Sequence, residues 1–494
     1  MKPIHSIARI TLETKTPLAI NTGKQDGVFD TSLITDANGL PAIPATSITG
    51  VLRHLYEKTY EKEATHALFG FQEQSAKSHD EKGQISNITI GWGHLNDSNG
   101  KVIEGIDFED TIPGDALLSS AFEQAMGIPL TRDRNVNNSR GVSINKFDVS
   151  ILQQGHRFTF EMSHWAEATD TENGADSEWE QALQLLFHPL FRLGSNTRNG
   201  LGAVTVKQLE TRYFDLRKEP DQNAFIAYSQ NRTLTDTRGD FTDELKHYRE
   251  EAKKAFERKL KTISLTLEPT GFWRFGQGSH PQDECNKNKV PDLLPKMEES
   301  IEWKDGKGSA GDLKLLVAAT SIKGAIAHRV AFHANRLNGV WADDKENIID
   351  VPDYDKSEHC ETIKRIFGYA ANENRSEDDE EPGQVGALII NDAYIDFNTD
   401  DLKVIMHNAI DRFTAGVRRG MLFSEEMVWG KTIDLTLFLD EEELKDIDKE
   451  ALHHALKDLA EGRLSLGARA SVGHGFFKDP NYQSPLTFKQ GEAE

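Results

Sequence analysis

The sequence predicts two consecutive α+β domains of one fold. Three observations predict it: a duplicated hexapeptide, an alternating strand ahead of each copy, and a glycine-rich element closing each half. The hexapeptide ATSITG at Ala45 to Gly50 recurs as ATSIKG at Ala319 to Gly324. Independently, a chain of 494 residues with 37% hydrophobic content exceeds what one core organises.

Each half opens with a strand. Ala8, Ile10 and Leu12 alternate with Arg9, Thr11 and Glu13, and Ile263, Leu265 and Leu267 alternate with Ser264, Thr266 and Glu268. Period-two alternation gives a strand with one buried face. After Ser47 the apolar residues Ile48, Val51, Leu52, Leu55 and Tyr56 follow helical spacing, as do Ile322, Ala325, Ile326 and Val330 after Ser321. The Thr-Ser pair ahead of each run reads as an amino-terminal cap. Phe69-Gly70 and Phe367-Gly368 follow the helices.

Further on, Ser139 to Met162 parallels Arg418 to Leu439: a basic turn, a strand, a glycine and another strand, read as a hairpin. The halves close with RLGSNTRNGLGAV (Arg192 to Val204) and SLGARASVGHGFF (Ser465 to Phe477). The order strand, helix, hairpin, helix, strand indicates two tandem ferredoxin-like (RRM-like) domains. They are placed at residues 1–210 and 261–494. Between them, residues 211–260 include the charged stretch Asp240 to Lys261, which reads as a solvated linker helix.

Two cysteines, Cys285 and Cys360, leave neither a disulfide framework nor a paired Cys-x-x-Cys zinc site, so a reducing cytoplasm is expected. No stretch approaches the length of a membrane span, and no membrane partner is expected. A formal net charge of −23 argues against indiscriminate coating of nucleic acid, though a narrow cationic groove is compatible with it.

Such a groove has candidates. Backbone N–H groups at a helix start and in a glycine-rich turn donate to phosphate oxygens. The sequence offers both twice, through Ser47 with Gly200 and Gly202, and through the second helix with Gly473 and Gly475. Lys323, Arg53 and Arg329 lie on the two helices, and Arg132, Arg134, Arg140, Arg412, Arg418 and Arg419 cluster around the expected hairpins. For any one helix cation a solvated face is an equal alternative; the repetition favours a strand-tracking groove.

FDTSLITDANGLPAIPATSITGVLR (Phe29 to Arg53), IDRFTAGVRRGMLFSEEMVWG (Ile410 to Gly430) and LGARASVGHGFF (Leu466 to Phe477), in this order, resemble the RAMP superfamily. Specifically, they resemble backbone subunits of type III CRISPR effectors of the Csm and Cmr kinds, with two units fused as in type III-D-like effectors. The resemblance implies a ferredoxin-like palm with a hairpin thumb that intrudes into a guide–target duplex. It implies as partners a CRISPR guide RNA, complementary target RNA and other effector subunits, and cleavage of the target by a loop Asp with Mg²⁺ or Mn²⁺. Carried over residue by residue, it makes Asp30 the catalytic and metal-binding candidate, ahead of Asp36, Pro41 to Pro44 and Ser47.

The chemistry agrees with that role. A displaced nucleotide lets its 2′-OH line up with the neighbouring phosphate, and an ion held by a carboxylate stabilises the developing charge. Asp26 is the nearest rival, and Asp36 reads as a turn residue. The second half departs from the pattern: Gly271 to Ser321 is much longer than its counterpart, and Asp283 is the best guess for an acid there. His280, Asp283 and Cys285 lack the fourth ligand and spacing of a structural zinc site. Thr49 stands where the family commonly has Lys, and Ala327 at the place of Arg53.

The alternatives are a non-catalytic backbone subunit, a standalone guide-processing ribonuclease and a scaffold that binds no RNA. The ribonuclease would want paired acid and base residues. His54, His66 and His328 show no such pairing in sequence.

Overall fold

The computed structural model describes residues 2–23, 31–73, 82–108, 110–124, 130–137, 144–167, 177–230, 234, 241–256, 260–276, 291–340, 361–369 and 383–488. The first half is built on strands β1 (Ile4–Thr14), β2 (Ile88–Ile90), β3 (Arg157–Ala166) and β4 (Val204–Asp215), with helices α1 (Ala45–Thr59) and α2 (Ser177–Leu185) on one face. The antiparallel order β4-β1-β3-β2 is that of a ferredoxin-like sheet.

The second half repeats the plan with β5 (Lys261–Pro269), α3 (Ala319–Leu337), β6 (Leu388–Asn391), β7 (Ile433–Leu439), α4 (Asp446–Ala460) and β8 (Phe477–Lys478). Its order is β8-β5-β7-β6. The chain is therefore α+β, in two tandem units.

Ile48, Leu52, Leu55 and Tyr56 bury one face of α1, and Ile322, Ile326 and Val330 do the same for α3, as their spacing requires. Each such side chain contributes roughly 1.5–3 kcal/mol on leaving water. Two separate clusters result, one around Ile10, Leu52 and Phe160, the other around Leu265, Ile326 and Leu437.

Three expectations are corrected. The strand before each internal glycine does not pair with the one after it. Ile144–Ile151 instead pairs with Leu130–Asn137, and Phe423–Val428 with Leu402–His407, while β3 and β7 belong to the core sheets. The glycine marks the passage from a projecting hairpin into the palm.

The single buried face holds for β5, where Ser264, Thr266 and Glu268 are exposed, but fails for β1. Helix Glu219–Gln230 lies over the polar face of β1: the Tyr228 hydroxyl bonds Glu161, which pairs with Arg9, and Phe241 stacks on Arg9 at 4.4 Å. Burial first, then Glu161, pushes the Tyr228 hydroxyl up to about 12. The expected linker helix is present at Leu245–Phe256, yet its Tyr248, Ala252 and Phe256 enter the first cluster. One apolar residue in four, on each successive turn of an otherwise charged helix, is enough to seat it.

Part of the long segment Gly271 to Ser321 forms a strap. Its hairpin, Ile301–Lys304 paired with Lys307–Ala310, reaches the first half: Ile301 N–H donates to Gln154 O (3.0 Å), Gly308 N–H to Ser98 O (2.7 Å) and Trp303 Nε1–H to Gly155 O (2.8 Å). The Arg157 guanidinium lies 3.8 Å from the Trp303 ring centre.

Candidate nucleic-acid interface

The two glycine-rich loops have one backbone conformation. Leu193 N–H donates to Gly202 O and Leu466 N–H to Gly475 O; Leu201 N–H donates to Asn196 O and His474 N–H to Arg469 O. Gly200 and Gly473 both take left-handed conformations (φ +100° and +89°), as do Asn196 and Arg469. Repeated glycines at the same steps of both sequences allow the same path.

Their surroundings differ. The first loop docks on the second half: Asn199 and Gly200 pair in parallel with Ile390 and Asn391 of β6, Lys323 Nζ donates to Asn199 Oδ1 (2.9 Å), and Arg192 Nη2 donates to Asn391 Oδ1. Asp392 Oδ1 accepts the Ala319 N–H at the start of α3 (2.8 Å). A Cβ on Gly200 would lie 2.3 Å from that carboxylate oxygen. Burial, then Arg198, pushes the Arg192 guanidinium down to about 10 against the pull of Asp392, so it stays charged at neutral pH. At Gly473, by contrast, a Cβ would meet no described atom within 4 Å.

The helix starts differ in the opposite sense. Both begin ahead of the expected cap pair, at Ala45 and Ala319, so Thr46, Ser47, Thr320 and Ser321 lie in the first turn and do not cap it. Asp392 supplies the cap for α3 from across the sheet. The matching bridges Ile43–Gly93 and Val317–Ala393 put Trp92 at the place of Asp392 in the first half, and Thr49 stands at that of Lys323. The α1 start has no side-chain cap, and Ser47 N–H donates to Pro44 O.

The remaining cations fall in separate places. Arg53 is half-buried on α1. Arg329 on α3 pairs with Asp458, which also accepts from Arg463 Nε (2.8 Å) and meets His333 Nε2 (2.8 Å). Arg412, Arg418 and Arg419 are exposed on the loop 408–422 at the tip of the second hairpin, where Phe413 is 95% exposed. Asp411 shapes that tip by accepting the Phe413 and Thr414 N–H groups, which hold its carboxyl below the usual range. Arg132 and Arg134 lie on the first hairpin's strand Leu130–Asn137. Arg140, Asp26, Asp30, His280, Asp283 and Cys285 lie outside the described residues.

The flanks of Asp30 are described. Asn21 bridges Leu33 and Thr22 N–H donates to Ser32 O (3.0 Å), so the described residues on either side of Asp30 pair with each other. Thr31 Oγ1 accepts the N–H of Ser150 on the first projecting hairpin (3.3 Å). Asp36 is a turn residue, its Oδ1 accepting from Asn38 and Leu40 N–H (2.8 and 3.0 Å). In the second half the corresponding ladder is Gly276 with Pro295, and the acid ahead of it is Asp292. Sequence reading passed over Asp292 because unequal insertions hide the register, and Asp30-Thr31-Ser32-Leu33 and Asp292-Leu293-Leu294-Pro295 share no residue pattern beyond the acid itself.

Among the described residues no group of three or more His, Cys, Asp or Glu side chains forms a metal cage. No helix of the described residues is long and apolar enough to cross a membrane.

Two ferredoxin-like palms, each with a projecting hairpin and a glycine-rich loop, define a duplicated palm-and-thumb protein. The sequence model of the RAMP superfamily matches residues 11–205 and 308–478, well over half of the chain, and the chain belongs to that superfamily. A solved structure described as "Cryo-EM structure of the Type III-B Cmr-beta bound to cognate target RNA" is similar at 12% identity with a TM-score of 0.28, over 42% of this chain and 60% of that one. No curated protein matches the chain at a significant level.

Proposed function

We propose that this protein is a fused double backbone subunit of a cytoplasmic type III CRISPR effector, binding guide RNA and the guide–target duplex and cutting target RNA at Asp30. The observation that carries the reading is the duplicated RAMP match together with projecting hairpins, one of which presents three exposed arginines and Phe413 at its tip. An aromatic wedge between cations suits unstacked bases and their phosphates.

The seam between the halves consumes the first glycine-rich loop and the second helix start. The surfaces left for RNA are the α1 start with Ser47 and Arg53, the loop at Gly473 and Gly475, and the hairpins. Mg²⁺ or Mn²⁺ at Asp30 would stabilise charge on the scissile phosphate.

The test is cleavage of a labelled RNA complementary to the guide by the assembled complex, wild type against Asp30→Ala, with Mg²⁺ and with chelator. Loss of one cut with target binding intact is expected; persistence of every cut would leave a non-catalytic subunit. In the same complexes, replacing Arg412, Arg418 and Arg419 by Ala should weaken RNA binding and lower the salt slope by roughly 0.7 per lost phosphate contact. Lys323→Ala, committed to Asn199, should leave that slope unchanged.

A further inference from the structure

The loop that carries Asp30 has a counterpart in the second half that backbone hydrogen bonds identify residue by residue. Ile34 N–H donates to Ile20 O (2.8 Å), and Lys296 N–H to Phe275 O (2.7 Å). Ala42 N–H donates to Ile34 O, and Leu316 N–H to Lys296 O. Asn21 bridges Leu33 as Gly276 bridges Pro295; Thr35 bridges Pro41 as Met297 pairs with Leu315. In this register Thr31 falls on Leu293, so in sequence Asp30 and Asp292 are the residues just ahead of matched positions.

The contacts with the hairpins agree. Ser150 N–H reaches Thr31 Oγ1, and Glu426 N–H reaches Leu293 O (2.8 Å). Ser150 and Glu426 are themselves matched by the bridges Leu18–Leu152 and Trp273–Val428. Palm and thumb thus independently match Leu293 with Thr31, and in sequence Asp292 and Asp30 each stand one residue ahead of that match, whereas Asp283 lies nine residues before Asp292.

Asp292 is half-buried, and its Oδ2 accepts the Ser424 N–H (2.7 Å) and hydroxyl (3.1 Å). The Ser424 N–H, then its hydroxyl, hold the carboxyl below its usual range. Both Ser424 bonds fall on Oδ2, leaving Oδ1 outside that pair, and the Asp292 N–H also faces the carboxylate. An ionised carboxylate fixed through one oxygen and offering the other is suited to a cation or a 2′-OH.

We propose that Asp292 is a second RNA-cutting carboxylate, acting for the second half as Asp30 acts for the first; this rests on the cleavage reading of Asp30. The step is a transesterification. The 2′-oxygen bonds to the adjacent phosphorus as the P–O5′ bond breaks, giving a 2′,3′-cyclic phosphate and a 5′-hydroxyl. The proton lost by the 2′-OH is matched by the one gained at O5′, and no oxidant or reductant is involved.

Labelled target RNA is offered to complexes carrying wild-type chain, Asp30→Ala, Asp292→Asn, both changes, or Asp283→Ala, with target binding measured in parallel. The expected result is two cuts from the wild type, loss of one, about 100-fold or more in rate, in Asp292→Asn, loss of the other in Asp30→Ala, and no change in Asp283→Ala. If Asp292→Asn keeps every cut while Asp30→Ala loses one, Asp292 is not catalytic and the Asp30 reading stands. If the double variant keeps every cut, the cleavage reading falls with both. Asn retains an acceptor for Ser424, and Asp292→Glu, which keeps the charge but moves it, should lose the same cut while target binding persists; a Glu variant that cuts normally would overturn the placement.

Discussion

The two glycine-rich loops share a backbone and have opposite fates. The first is closed against β6, Asp392 and Ala319, and the second stands open at Gly473. The two helix starts are divided the other way, α3 being capped by Asp392 and α1 lying beside Trp92 with no side-chain cap. A duplicated element need not keep a duplicated role: joining two units in one chain turns one loop and one helix start into a seam.

The largest expected effect contrasts the loops directly. Gly200→Val places a Cβ 2.3 Å from the Asp392 carboxylate oxygen and 2.8 Å from Ala319 Cβ, on a left-handed backbone. It should cost more than about 3 kcal/mol. Gly473→Val carries the backbone strain without the clash and should cost roughly 1–2 kcal/mol. Denaturant midpoints of the two variants compare them, and equal losses would break the comparison.

Next is the strap. Trp303→Ala removes the hydrogen bond to Gly155 and the stack on Arg157, a loss of about 3 kcal/mol. Amide exchange should rise at residues 154–157 and at Asn199 and Gly200, while the second cluster stays protected. Unchanged exchange at Asn199 would mean that the loop holds the seam unaided.

The smallest effect is acid sensitivity next to the strap. Burial pushes the His156 imidazole down to about 3, and neither ring nitrogen has a partner among the described residues. The unfolded chain takes up a proton near pH 6.5 and the folded one does not until about 3, so this stability is complete above 6.5 and is lost as pH falls between the two values. The slope is about 1.4 kcal/mol per pH unit. His156→Leu should flatten that part of the stability curve; an unaltered slope in urea titrations at pH 7.5, 6 and 5 would assign the loss to other groups.

Much of this was legible in the sequence. The duplicated hexapeptide, the helical spacing after Ser47 and Ser321 and the two glycine-rich closures gave the tandem ferredoxin-like plan, because spacing reports which face of a helix or strand is apolar. The pairing of the hairpins was not legible: Gly155 and Gly430 mark a turn, and a turn does not say which strand lies beside the next. Nor was the cap of α3, since Asp392 is distant in sequence from Ala319. The acid matched to Asp30 was hidden for the same reason, its register being carried by backbone hydrogen bonds that skip insertions of unequal length.

The sequence by itself determined the repeat, the fold class and the family, all of which are written in local pattern and motif order. Tertiary structure decided which copy of each repeated motif is open. That choice depends on what lies across the seam, and contacts between distant residues such as Gly200 and Asp392 leave no periodic trace in the chain.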